Sequence, residues 1–514
     1  MIEARLPDAA VPRPSTLRAR RMGIDTYQEP VVYMRADCAV CRSEGFESRS
    51  RVRLAGGGRE IVATLNVVQG DVLGIGQAGL SESAWALLNA HADQVLEVSH
   101  AEPVESFRHV RAKLFGNALS DADIAAVVRD VADRRFSDVQ LSAFLSAGVG
   151  ERLSSGEIVA LTRAMVAVGE TLSWDREAVF DKHCVGGLPG NRTTPLVVAI
   201  VTACGLTMPK TSSRAITSPA GTADAMEMLA PVDLTLPQMR RVVEREGGCV
   251  VWGGAVDLSP ADDVLIRVER ELDVDSEAQL VASVLSKKIS AGSTRVLIDV
   301  PVGPTAKVRD ADAARRLAAL LEATGAALGL QVDVLQTDGS QPVGRGIGPA
   351  LEARDVLRVL RGAASAPTDL RDRAAALAGA MLERGAVCAG GRGMQHALDV
   401  LADGRAWHKF QAICEAQGGL RTPPVAPHQA PAVARHGGRL TAIDNRRLAR
   451  LAKLAGAPQA PAAGVELLAH VGERVSAGAP LLMVHAETPG ELEYAFEYLS
   501  RHPDMVAIAG EQGS

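Results

Sequence analysis

A chain of 514 residues exceeds one ordinary domain, and at roughly 100–200 residues per domain its length predicts three or four. Hydrophobic residues at 47% and charged residues at 23% match an ordered globular protein and exclude wholesale disorder. A net charge of −6 with aromatics at only 3% leaves no global basis for nucleic acid or an anionic membrane as partner.

From the amino terminus, Arg5, Arg13, Arg18, Arg20 and Arg21 appear without an apolar core, so no secretory signal is visible. Pro12 and Pro14 break any amphipathic helix that would mimic a transit peptide. The apolar stretch from Pro195 to Leu206 falls short of the ~20 residues that span a bilayer. Seven cysteines, an odd number at low density, fit a reducing environment, and a cytoplasmic location is expected.

Residues 1–100 read as a β-rich domain, a small barrel or sandwich, with strand patterns at Val31–Met34 and Ile61–Val68 and glycine punctuation at Gly56-Gly57-Gly58. Cys38 and Cys41 form a CxxC, but the second ligand pair that a structural zinc site needs does not follow. Residues 101–172 read as a helical domain. Ser120-x-x-Asp123, Ser137-x-x-Gln140 and Ser154-x-x-Glu157 each announce a helix start.

Residues 173–420 alternate strand patterns (Ala178–Phe180, Val296–Val300, Gln331–Leu335) with helical ones, which predicts an α/β domain with a mostly parallel sheet. Ligands of such sheets bind at the carboxyl ends of the strands. A proline-rich stretch, Thr422–Pro427, introduces a C-terminal α+β domain over 421–514. Its run from Ala469 to Leu482 resembles lipoyl and biotinyl carrier domains. No lysine follows Lys453, so a carrier function is excluded and only a related hammerhead-like barrel is expected.

Three segments of the α/β domain carry chemistry. Asp181–Thr194 is a glycine-rich loop in which backbone amides, Lys182 and a helix start capped by Thr193 or Thr194 suit an anion, although GxxxxGK[ST] is absent. Lys210–Thr222 offers hydroxyls, Arg214 and Gly221. Residues 276–288 read as a helix with Ser283 and Lys287 on one face, and Lys307 follows a later strand.

Asp181-Lys182-His183 with its glycines, Ser212 to Thr222, and Ser283-Val284-Leu285-Ser286-Lys287-Lys288 together resemble the thymidine and pyrimidine-nucleoside phosphorylase family, from about residue 103 onward. The extra N-terminal segment resembles its longer branch, which includes AMP phosphorylases. The resemblance implies a small helical domain facing an α/β domain, a homodimer or higher homo-oligomer, no cofactor and no metal. It also implies reversible phosphorolysis, with inorganic phosphate as co-substrate and a small-molecule nucleoside or nucleotide as partner. Thymidine is the expected substrate, giving thymine and 2-deoxy-α-D-ribose 1-phosphate.

By this resemblance Lys182, Cys184, Ser212 and Thr222 hold phosphate, Cys184 standing where the family usually has serine. His183 assists the departing base, and Ser283 and Lys287 hold it. The arginine that usually completes that site is replaced in register by Val268, with Arg267 and Arg270 nearby in sequence. In the AMP branch the matching positions are Gly187, Ser213, Arg214, Ala215, Ile216, Thr217, Ser218, Thr222, Ser283 and Lys307, with Asp275 as proton donor to the base. Anthranilate phosphoribosyltransferase shares the fold family, but its GTGGD-like loop has no match at Gly186-Gly187-Leu188-Pro189-Gly190.

Overall fold

A computed structural model of the chain describes residues 16–150, 152–215, 218–256, 258–272 and 276–510. Two compact units result, one of residues up to Phe115 plus Asp130–Phe144, the other of Gly116–Arg129 plus Leu145 onward.

In the first unit, strands β1 (Thr16–Arg21), β2 (Val31–Arg35), β3 (Arg51–Gly56), β4 (Arg59–Val68), β5 (Gln77–Leu80) and β6 (Val95–His100) close into a barrel in the order β1-β5-β2-β4-β3-β6. The strand period of two sends Leu17 and Ala19, Val52 and Leu54, Ala63 and Leu65, and Leu96 and Val98 inward. The short helices α1 (Ala39–Glu44) and α2 (Glu82–Leu88) flank it. The CxxC is a helix cap: Cys38 Sγ accepts from the Cys41 amide at 3.2 Å, and both thiols are buried. Among the described residues no group of three or more His, Cys, Asp or Glu could hold a metal ion.

Four helices follow in sequence: α3 (Phe107–Leu114), α4 (Asp121–Ala132), α5 (Asp138–Ala147) and α6 (Ser155–Ala167). The three serine start signals form as read, with the hydroxyls of Ser120, Ser137 and Ser154 accepting from the amides of Asp123, Gln140 and Glu157.

The second unit is built on a parallel sheet. Strands β7 (Phe180–Cys184), β8 (Met208–Ser212), β9 (Gly248–Trp252), β10 (Arg295–Val302) and β11 (Gln331–Asp338) pair as β11-β10-β7 and β8-β9. A parallel bridge between Val179 and Thr207 joins the two pieces. The crossover helices are α7 (Thr193–Ala203), α8 (Thr222–Glu227), α9 (Leu236–Glu246), α10 (Pro260–Leu272), α11 (Glu277–Ser290) and α12 (Ala311–Ala327). Helix α7 is apolar all round and buried along its length, which makes it the centre of the main core.

Strand β12 (Gly346–Ile347) leaves this layer to pair with a C-terminal sheet of order β12-β15-β17-β13, where β13 is His428–Val433, β15 Gly464–Leu467 and β17 Pro480–Ala486. Helices α13 (Pro349–Leu360), α14 (Thr368–Arg384), α15 (Gly393–Ala402) and α16 (Arg405–Gln417) bridge the sequence between β12 and β13. A second antiparallel sheet, β16-β14-β18 (Arg474–Val475, Gly438–Ile443, Val506–Ala509), and helices α17 (Asn445–Leu454) and α18 (Pro489–Arg501) complete the unit. No described helix is long and apolar enough to cross a membrane.

Candidate functional site

The first anion loop starts later than the sequence reading has it. Asp181, Lys182, His183 and Cys184 belong to β7, and Lys210, Thr211 and Ser212 to β8. A run of charged residues reads as loop because burying charge is unfavourable, but here each charge meets a partner on a neighbouring strand or helix. Lys288 Nζ donates to Asp181 Oδ2 at 2.8 Å, and Lys210 Nζ lies 3.4 Å from Oδ1 of the same carboxylate. Lys182 Nζ donates to Thr193 Oγ1 at 2.8 Å and stands 3.8 Å from Asp299 Oδ2 on the neighbouring strand β10. Asp299 in turn accepts from Thr337 Oγ1 at 2.6 Å and from Asn191 Nδ2 at 3.2 Å. Thr193 therefore serves Lys182, while the cap position of α7 falls to Arg192 without a side-chain cap bond.

The glycines of this loop are needed for close approach. A side chain at Gly187, whose φ is +79°, would meet the backbone nitrogen of Lys307 at 2.4 Å, so the loop after β7 lies directly against the segment after β10. Gly190, at φ +69°, would meet the Val343 carbonyl at 2.4 Å. Cys184 Sγ accepts from Asn191 Nδ2 at 3.4 Å, and burial, then Asp299, pushes its thiol up to about 12. Cys184 is a neutral thiol at pH 7.

The loop after β8 folds back on its own strand end. Ala223 N–H donates to the Ser213 carbonyl at 3.2 Å, and Asp224 Oδ2 accepts from the amides of Ala215 and Gly221. Arg214 is committed to Glu227, Asp224 and Asp233 and lies over the Trp252 ring at 4.9 Å. Ser218 Oγ donates to the Ala220 carbonyl at 3.0 Å. The Ser212 hydroxyl is buried without a protein hydrogen-bond partner, a donor waiting for an acceptor. Arg192 Nη1 donates to Thr222 Oγ1 at 2.6 Å, which ties the loop after β7 to the start of α8. Ile216, Thr217 and Asp275 lie outside the described residues.

On α11 the expected pair, Ser283 and Lys287, is partly exposed on one face. The two lysines differ: Lys288 is buried against Asp181, whereas Lys287 pairs with Asp262 of α10. Burial depresses Lys287, but the Asp262 carboxylate outweighs it and holds the ammonium above its ordinary value. Burial and then the charges of Lys288, Lys210, Lys287 and Lys182 drive His183 well below 6.5, so the imidazole is neutral at pH 7. Burial foremost, then Lys288 and Lys182, lowers Lys210, with Asp181 opposing them.

Sequence reading assigns no role to Asp299, Arg192, Glu352, Lys210 or Asn191. Asp299 had a usable signal, a carboxylate inside the apolar strand Val296–Val300. Glu352 and Arg192 had none, because they meet across 160 residues of sequence.

Models of the glycosyl transferase family match its helical bundle domain at residues 108–169 and its a/b domain at 176–407, and the pyrimidine nucleoside phosphorylase C-terminal domain at 439–503. A protein of Acidovorax sp. (strain JS42) named "Putative thymidine phosphorylase 1" is 64% identical over 495 residues, covering 96% of this chain and 97% of its own. A Polaromonas sp. protein named "Putative thymidine phosphorylase" is 63% identical over 495 residues, with the same coverage. The crystal structure of anthranilate phosphoribosyltransferase from Thermus thermophilus superposes with a TM-score of 0.50 at 21% identity, over 60% of this chain and 98% of that one, and shows the shared fold. With family models and full-length relatives in agreement, the chain belongs to the thymidine/pyrimidine-nucleoside phosphorylase family.

Proposed function

We propose that this protein catalyses the reversible phosphorolysis of thymidine. A phosphate oxygen attacks C1′ as the C1′–N bond breaks. The bonding pair leaves with the base, which takes up a proton, and the products are thymine and 2-deoxy-α-D-ribose 1-phosphate. The observation that carries the reading is the junction of two loops at the carboxyl ends of adjacent parallel strands, where Arg192 meets Thr222 and Ser212 offers an unpartnered hydroxyl. Lys182, Cys184, Ser212 and Thr222 are assigned to phosphate, whose charge compensates the oxocarbenium-like transition state. His183, kept neutral, has one N–H to offer the departing base, which Ser283 and Lys287 hold. No cofactor is proposed, inorganic phosphate being a co-substrate, and the protein is proposed to be a cytoplasmic homo-oligomer.

A second reading, phosphorolysis of AMP to adenine and ribose 1,5-bisphosphate, is favoured by one observation. Gly187 packs on the backbone of Lys307, and both are nucleotide-branch positions. In that reading Ser213–Ser218 and Lys307 contact the nucleotide, and Asp275 protonates the base. Incubating the purified protein with phosphate and, side by side, thymidine, uridine, AMP and CMP decides between them. Thymine release supports the first reading and adenine release the second, while turnover of none overturns both.

A further inference from the structure

Arg192 ends the loop after β7, and its side chain is only 11% exposed. Its Nε donates to Glu352 Oε2 at 2.7 Å, and Nη2 lies 2.6 Å from the same oxygen. Glu352, on α13, is 2% exposed and also accepts from the Gly348 amide through Oε1 at 3.1 Å. Burial raises this carboxyl to about 7, with Arg192 the largest opposing influence. Nη1 of Arg192 donates to Thr222 Oγ1 at 2.6 Å, and Nη2 donates to the Ala220 carbonyl at 3.0 Å. Neither Arg192 nor Glu352 is among the residues assigned to phosphate or base above.

A guanidinium is a planar fork that only donates, so it orients whatever accepts from it. A threonine hydroxyl has one hydrogen to give and two acceptor positions. With one acceptor position taken by Arg192, and no acceptor offered to it by the guanidinium, the Thr222 hydrogen is directed elsewhere. Glu352 holds the fork in register from the opposite side, and the Ala220 bond fixes the loop that leads into Thr222.

We propose that Arg192 and Glu352 are positioning residues of the phosphate half of the site: Glu352 fixes the guanidinium, and the guanidinium makes Thr222 a hydrogen-bond donor to phosphate. The inference rests on the reading above in one respect only, the assignment of Thr222 to phosphate.

The test uses the full-length protein with Arg192→Gln, Arg192→Lys, Glu352→Gln and Thr222→Val, and the double variant of Arg192→Gln with Thr222→Val. Binding of inorganic phosphate is measured by calorimetry, and KM for phosphate and for the nucleoside substrate by initial rates. Arg192→Gln is expected to raise both the phosphate Kd and its KM by about tenfold to hundredfold, the loss of one charge-assisted arrangement, with nucleoside KM moving less than about threefold. Arg192→Lys should recover part of the affinity, because a point charge can reach one of the two acceptors but not both. Glu352→Gln should fall between Arg192→Lys and the wild type. In the double variant the two effects should not add, since Arg192 acts through the Thr222 hydroxyl.

Additive effects, an unchanged phosphate Kd, or nucleoside KM rising in step with phosphate KM would each overturn the proposal. Should Arg192→Gln fail to fold, Arg192→Lys and Glu352→Gln carry the same test. Wild-type protein that binds phosphate but turns nothing over would sink the phosphorolysis reading alone, because the binding arms still decide this one. Wild-type protein that does not bind phosphate would sink both.

Discussion

The ammonium of Lys182 on β7 faces the carboxylate of Asp299 on β10, 3.8 Å apart and both buried, with Thr193 accepting from the same ammonium at 2.8 Å. A lysine so enclosed brings a charge whose desolvation is already met by the fold, which is the condition for electrostatic help at an anion site. Lys182→Met keeps most of the volume and removes the charge. Turnover should fall by about 10²–10³-fold, and Asp299 loses its counter-charge at a cost of about 3 kcal/mol. Phosphorolysis rates and urea unfolding check the two parts separately. A variant with wild-type turnover would remove Lys182 from the site.

Asp181 gathers Lys288 and Lys210 around one carboxylate. Asp181→Asn leaves two buried ammoniums facing each other, and a loss of about 3–5 kcal/mol is expected. The deficit should depend on pH. Lys210 is already lowered in the folded state, first by burial, and loss of Asp181 lowers it further. Between that depressed value and its ordinary 10.5 the unfolded chain binds a proton that the folded chain does not, so folding stability rises with pH in this window. Above about 7, the folded value of Lys210 in the wild type, both proteins gain stability together, so the gap between variant and wild type should be wider at pH 5.5 than at pH 8. A gap that stays constant across chemical denaturation at the two pH values would contradict the charge assignment.

Cys184 is expected to be inert. Its thiol is pushed up to about 12, so at pH 8 almost none is thiolate, and Cys41, also pushed up to about 12 by burial and by Cys38, should behave alike. Iodoacetamide at pH 8 followed by peptide mass spectrometry should leave both unmodified in the folded protein. Cys184→Ser should lower KM for phosphate by a few fold, because a hydroxyl is the better donor at that position. A rise in KM would indicate that the site is shaped around sulfur.

Gly187 has no room for a methyl group. Gly187→Ala would place a carbon 2.4 Å from the Lys307 backbone nitrogen, at a φ of +79° that alanine adopts with strain. A loss of about 1–3 kcal/mol is expected, together with displacement of the segment around Lys307. If AMP is the substrate, nucleotide KM should rise more than phosphate KM. Thermal unfolding and initial rates measure both, and an unperturbed variant would mean that the two segments separate freely.

Local features are readable because local rules govern them. Serine caps at Ser120, Ser137 and Ser154 depend on contacts three residues away, and the strand and helix alternation of the second unit follows from periodicity. The resemblance of three short motifs also points to the family that the comparisons establish. The start of the first loop is misplaced by sequence reading for a physical reason. Asp181-Lys182-His183 is too polar to read as strand until Lys288, Lys210 and Asp299 are seen to neutralise it from three other elements.

The sequence by itself determined the parallel α/β framework and the kind of groups carried near the carboxyl ends of its strands. Only the tertiary structure decided which lysines face a counter-charge, why Cys184 and His183 are both neutral, and that Glu352 reaches Thr222 through Arg192. These are properties of distance and burial, and residues 160 positions apart acquire them only when α13 packs against α7.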